Sequence, residues 1–256
     1  MKPALAFPYH DPDQTMFPHL QAILPDLKEH FERAYISPPL STLEWLQQKN
    51  LILSDDFFVV FPTPTELPVG KRFADLYGHT AEAAHPEQAI HLCFPDRLSL
   101  ALEGGYRDSF LTDVDSLTAD DLPLIFQRSE HAWETHPKIY RRIEGIVTTV
   151  GKNLFGLELD YAWCHLVVQA KQLREVIPLT RLENISMVAE IVYHLQDKIK
   201  TRDVDWLAWE DPLVLNRDAD ELRQERENSP IEINKRLNYV LPMIEMLTRF
   251  SKNGRE

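Results

Sequence analysis

Four short stretches place reactive side chains where an apolar run stops. Cys93-Phe94-Pro95-Asp96-Arg97 closes the run 89–94. A carboxylate at the end of a buried strand can hold a hard divalent cation, which in turn neutralises a leaving phosphate. Asp is also a strong N-cap, so Asp96 suits equally the start of the helix that RLSLALEGG predicts. Pro8-Tyr9-His10-Asp11-Pro12 follows the run 5–7, where Tyr9 and His10 either meet a base or belong to an Asx-type turn. Val69-Gly70-Lys71-Arg72 opens a helix. A glycine there permits close approach, and two cations beside a helix N-terminus suit a diphosphate; a solvated pair of charges is the plainer alternative. Asp160, ahead of Tyr161-Ala162-Trp163-Cys164-His165, offers a general base, a partner for a sugar hydroxyl, or a cap.

These residues need strands to carry them. Apolar runs at 5–7, 34–37, 57–61, 89–94 and 124–127 read as strands, and those that are apolar throughout imply a parallel sheet covered on both faces. Helical periodicity at 14–32 puts Phe17, Leu20, Ile23, Leu24, Leu27 and Phe31 on one face, with a break or kink expected at Pro25. Ser41, with Glu44 three residues on, predicts a capped helix, and a further helix runs from about 71 to 84. Helices are predicted at 131–152, 161–176, 183–200 and 231–251, which makes the C-terminal half helical. The charged stretch 218–227 reads as a solvated helix or a mobile segment. The expected organisation is an α/β domain over 1–212 with a helical extension over 213–256. Sheets of this kind bind ligands beyond the carboxyl ends of their strands.

Composition narrows the function. A net charge of -13 on 256 residues opposes binding to a nucleic-acid backbone, while leaving room for a small anion held by a local basic cluster. Cys93 and Cys164 form no CxxC pair and read as buried, reduced thiols, so the expected location is cytoplasmic. No apolar stretch is long enough to span a bilayer. His131, His136, His165 and His194 show no HExxH or i,i+4 pairing, which speaks against structural zinc. Asp113-Val114-Asp115 is a literal D-x-D, but no buried strand precedes it, and it reads as a solvated turn. Trp206 and Trp209, beside Glu210 and Asp211, suit either a sugar site or core packing.

The order of these features resembles the GT-A glycosyltransferases, in particular a bacterial, family-two-like branch. It runs from the turn after the first strand, through the Gly70-Lys71-Arg72 helix start and the strand ending at Asp96-Arg97, to the acidic stretch at Asp160. The resemblance spans roughly 4–177, and the DWLAWEDP stretch adds to it. It implies a Rossmann-type sandwich, with Pro8, Tyr9, His10, Lys71, Arg72 and Arg97 near a nucleotide-sugar donor. It also implies that Asp96 is the remaining acid of a D-x-D motif binding Mg²⁺ or Mn²⁺, and that Asp160 is the base or lies on the acceptor side. Phe94 departs from the pattern, since it stands where the first acid would be and cannot ligate a metal.

Three functions follow. The first is sugar transfer from a nucleotide sugar to a small-molecule or glycan acceptor, with a homodimer an open option. The second is a GT-A-like binding or scaffold protein without catalysis, which Phe94 motivates. The third is an unrelated nucleotide-binding α/β protein, although neither GxGxxG nor GxxxxGK[ST] occurs.

Overall fold

The computed structural model describes residues 2–49, 55–209 and 218–253. Seven strands make one sheet: β1 (Ala4–Pro8), β2 (Ala34–Ser37), β3 (Phe58–Val60), β4 (Ala89–Cys93), β5 (Leu124–Arg128), β6 (His165–Gln169) and β7 (Lys200–Val204). Their order is β3-β2-β1-β4-β6-β5-β7. All neighbouring pairs are parallel except those made by β6, which runs against both β4 and β5. The expected α/β sandwich with a mostly parallel sheet is therefore present.

Alternation along each strand feeds two cores. Ala4, Ala6, Ile90, Leu92, Leu166 and Val168 face one side. Leu5, Phe7, Ala89, Cys93, Phe126 and Val167 face the other. The first side is covered by α3 (Val69–Ala83), α7 (Lys138–Phe155), α8 (Ala170–Val176), α9 (Met187–Leu195) and α11 (Pro230–Asn253). The second carries α1 (Phe17–His30), α4 (Pro95–Glu103) and α5 (Arg107–Asp115). α2 (Leu40–Lys49), α6 (Glu130–Thr135) and α10 (Ala219–Glu227) complete the α-helices of the described residues. Burial on both faces explains why the inner strands read as unbroken apolar runs.

Several elements depart from the sequence reading. The helix expected at 161–176 is a loop, then β6, then α8, because an apolar run this short fits a buried strand as well as a helix. The helix expected at 183–200 is shorter, and β7 begins at its predicted end; β7 is a polar edge strand, which carries no apolar signal. The helix expected at 131–152 is broken at His136-Pro137 into α6 and α7. Pro25 lies inside a continuous α1. Ser41 sits within α2, whose first turn closes on the Pro39 carbonyl through the Leu43 amide at 2.9 Å. The 218–227 stretch is helix α10, capped by the Asp218 carboxylate, which accepts from the amides of Asp220 and Glu221.

α11 shares its core with the rest of the protein through Val240, Met243, Met246 and Leu247. The expected boundary at 212/213 lies outside the described residues, as do Glu210 and Asp211.

The Gly70 glycine serves packing. Its amide donates to the Glu183 carbonyl at 2.9 Å. A Cβ there would lie 2.4 Å from the Asn184 carbonyl oxygen and 2.6 Å from that of Leu182. Those are backbone atoms, so Gly70→Ala should force α3 and the 182–184 loop apart. The expected loss is about 1–3 kcal/mol, read from the midpoint of urea unfolding. An unchanged midpoint would show that the loop yields freely.

Candidate functional site

Beyond the carboxyl ends of β4 and β5 lies a cleft of about 410 Å³. Because β6 is antiparallel, its leading residues Ala162, Trp163 and Cys164 arrive at the same edge. Phe94, Asp96, Arg97 and Arg128 line this inner wall. Tyr140 and Glu144 of α7, Trp209, Arg226 of α10, and Lys235, Arg236 and Tyr239 of α11 form the opposite wall. Its volume is that of a small-molecule site.

The floor is a buried ionic network. Arg128 Nη1 donates to Glu144 at 2.7 Å and Nη2 to Asp160 at 3.0 Å, and its guanidinium lies 3.7 Å from the Trp133 ring centroid. Arg236 donates to the other Glu144 oxygen at 2.7 Å, and the Tyr239 hydroxyl donates to that same oxygen at 2.8 Å. The Glu144 side chain is only 4% exposed. Burial works to raise its pKa, but the Arg128 and Arg236 guanidiniums overcome this and hold it at about 2. It is an anion at neutral pH and its oxygens are occupied, so it is no proton acceptor. Burial would likewise lower the Arg128 pKa, yet Asp160 and Glu144 raise it.

His136 borders the cleft with its Nδ1 2.8 Å from the Ala132 carbonyl, which fixes Nδ1 as the protonated nitrogen. Burial first, and the nearby Arg128 second, hold its pKa near 3, so it is a neutral imidazole. Burial also raises the pKa of the half-buried Cys164 thiol.

The residues singled out from the sequence are dispersed. Asp96 and Arg97 line the cleft, 3.5 Å apart. Asp96 occupies the first turn of α4, whose N-cap position is Phe94, so the capping role does not apply. Asp160 lies behind Arg128 and accepts from the Ala162 amide at 3.1 Å, which makes it both a turn residue and a support for that arginine. Tyr9 is fully buried and donates to Asp11 at 3.1 Å. Asp11 accepts from the amides of Thr15, Met16 and Phe17, four to six residues on, which ties this stretch to the start of α1; an Asx-type turn would bond only two residues on. Pro8, exposed His10, Lys71 and Arg72 do not line the cleft either, and Lys71 pairs with Glu183 at 2.7 Å.

Asp113 and Asp115 belong to α5 rather than to a turn, and serve separate partners. Asp113 accepts from Arg202 at 3.1 Å and from the Trp206 indole at 2.8 Å; Asp115 faces His30 at 2.9 Å. Trp206 is core, edge-on to Phe110 and Phe126.

Sequence reasoning missed Arg128, Glu144 and Arg236. Glu144 carried one faint signal: it lies on the apolar face of a strongly amphipathic helix, beside the buried Ile143 and Val147.

Among the described residues, no group of three or more His, Cys, Asp or Glu is arranged to hold a metal. Asp96 fits as one carboxylate for an Mg²⁺ or Mn²⁺ ion that arrives with substrate phosphates, the usual mode for Mg²⁺. A site made by the protein alone does not fit here. No helix among the described residues is long and apolar enough to cross a membrane.

No protein-family model matches the chain, and no curated protein sequence does. Among solved structures, it is similar to the crystal structure of glucosyl-3-phosphoglycerate synthase from Mycobacterium tuberculosis in complex with uridine diphosphate. The identity is 9% and the TM-score 0.48, over 95% of this chain and 80% of that one.

Proposed function

We propose that the cleft binds a nucleoside-diphosphate sugar and that the protein transfers the sugar to an acceptor. One observation carries this reading. In a chain of net charge -13, the lining residues include five cations (Arg97, Arg128, Arg226, Lys235 and Arg236) against two acids, Asp96 and Glu144. With Asp160 and Glu232 counted behind them the excess is one positive charge, but a ligand meets the lining first. A basic concavity at the carboxyl ends of a mostly parallel sheet suits a diphosphate.

In this reading Arg97 and Arg128 take the phosphate oxygens, and Asp160 keeps Arg128 pointing inward. Glu144 is too acidic and too fully bonded to accept a proton, and Asp160 is committed to Arg128. That leaves Asp96, 53% exposed, as the carboxylate able to meet a metal or an acceptor hydroxyl. A bound Mg²⁺ or Mn²⁺ would supply charge neutralisation of the leaving diphosphate.

Calorimetry with uridine diphosphate and a panel of nucleotide sugars, with and without Mn²⁺, tests this. Arg97→Ala should weaken nucleotide binding about tenfold, the cost of one charge-assisted contact, with little change in melting temperature. Failure of every nucleoside diphosphate to bind would overturn the proposal.

Phe94 favours a second reading, a binding module without transfer. Its ring packs on Phe73 and Trp163, at centroid distances of 5.8 and 6.2 Å, where a metal-binding acid would have stood. Donor binding with no turnover on any acceptor would select this reading.

A further inference from the structure

Arg97, Arg128 and Arg236 of the cleft already have carboxylate partners, Asp96 for the first and Glu144 for the other two. The outer wall offers something different. The Trp209 indole Nε1 and the Arg236 Nε are both buried and have no hydrogen-bond partner among the described residues. An indole N–H and a guanidinium Nε–H can only donate. A buried donor left unpaired costs free energy, so two of them on residues that line one cleft suit an acceptor that a ligand would bring there.

Both donors are held in place against one ring. The Arg236 guanidinium carbon lies 3.7 Å from the Tyr140 ring centroid, and the Trp209 ring stands edge-on to Tyr140 at 6.4 Å. The Trp209 amide donates to Thr135 Oγ1 at 2.7 Å, and Leu222 packs in the same cluster. The Tyr140 hydroxyl donates to Glu232 at 2.7 Å and is not available as a third donor. Lys235, exposed and also lining the cleft, adds positive charge one residue before Arg236.

We propose that this outer wall is an oxyanion subsite: it binds a phosphate or carboxylate group through the Trp209 indole and Arg236 Nε, with Lys235 supplying charge. If the sugar-transfer reading above is right, that group belongs to the acceptor, which is then an acidic hydroxyl compound rather than a neutral glycan. Assignment to the acceptor rests on that reading; the anion subsite itself does not.

The test is calorimetric titration of the full chain with inorganic phosphate and, separately, with glycerate, each before and after saturation with uridine diphosphate. Binding of one of the two that survives nucleotide saturation is the expected result, and which of them binds tells phosphate from carboxylate. Trp209→Phe keeps an aromatic ring but removes the N–H together with the five-membered half of the indole, so nucleotide affinity and melting temperature serve as its controls. It should weaken that anion about tenfold and leave nucleotide affinity unchanged. Lys235→Gln, at an exposed position, should weaken it by a smaller factor.

Nucleotide binding with no binding of either anion would overturn the subsite and spare the sugar-transfer reading. Anion binding that depends on Trp209, without any nucleotide binding, would do the reverse. An anion that competes with the nucleotide and is indifferent to Trp209→Phe would also overturn the subsite, since it would then bind on the inner wall.

Discussion

Glu144→Ala should cost about 3–5 kcal/mol of folding stability, the usual penalty for removing one partner from a buried ion pair. The carboxylate stands between two guanidiniums, at 2.7 Å from each. Without it, Arg128 keeps Asp160, but Arg236 keeps only the Tyr239 hydroxyl, and two like charges are left facing each other with little access to water. Glu144→Gln should cost less, because the shape and one acceptor oxygen remain. A triple variant, with Glu144→Leu, Arg128→Met and Arg236→Met, should recover much of the loss, since well-packed apolar groups can replace a buried ion cluster. Urea unfolding measures all three. A Glu144→Ala loss below about 1 kcal/mol would mean that water reaches the network and screens it.

The second large effect is acid lability. His91 and His165 are wholly buried, with Nε2 of one 2.9 Å from Nδ1 of the other, and their remaining nitrogens have no partner. Burial holds His91 near a pKa of 3; His165 is lowered by burial first and by His91 second. His136 is held near 3 as well. In the unfolded chain each would titrate near 6.5. The folded state therefore binds fewer protons than the unfolded state below that pH, and stability falls as pH drops. Each histidine contributes a slope approaching about 1.4 kcal/mol per pH unit.

Glu144 joins lower down. Its stabilisation is complete above the unfolded value of 4.5 and disappears as pH falls towards its folded value of about 2. The melting temperature should thus hold steady above pH 7, decline from about pH 6.5, and decline further below about pH 4.5. Calorimetry across pH 4 to 8 measures this. A flat profile between pH 7 and 5 would show that the three histidines are not kept neutral by burial.

What the chain made legible was set by burial. β1, β2 and β4 were readable because both their faces are covered, and Asp96 was readable because it follows such a strand. β7 was not, since Lys200, Thr201, Arg202 and Asp203 face the solvent edge and look like a polar loop. β6 was hidden because its apolar run is short enough to fit a buried strand or a helix turn, and the Tyr161 and Trp163 ahead of it turn out to be core.

The candidate site was legible in part. Asp96 and Arg97 announced themselves locally. Arg128, Glu144 and Arg236 did not, because they come from β5, α7 and α11, and only the folded chain brings them within hydrogen-bond distance. Asp160 was noticed as a base, a partner for a sugar hydroxyl or a cap, and the pairing with Arg128 that the fold gives it had no local signal.

That ionic floor has a consequence for how this sequence can drift. Its two arginines lie 16 residues before and 92 residues after Glu144. An apolar replacement at 144 costs least when the arginines are surrendered as well, so the three positions are expected to change together. Across distant relatives, such a linked triplet is a sharper tracer of descent than any short run of residues around Asp96.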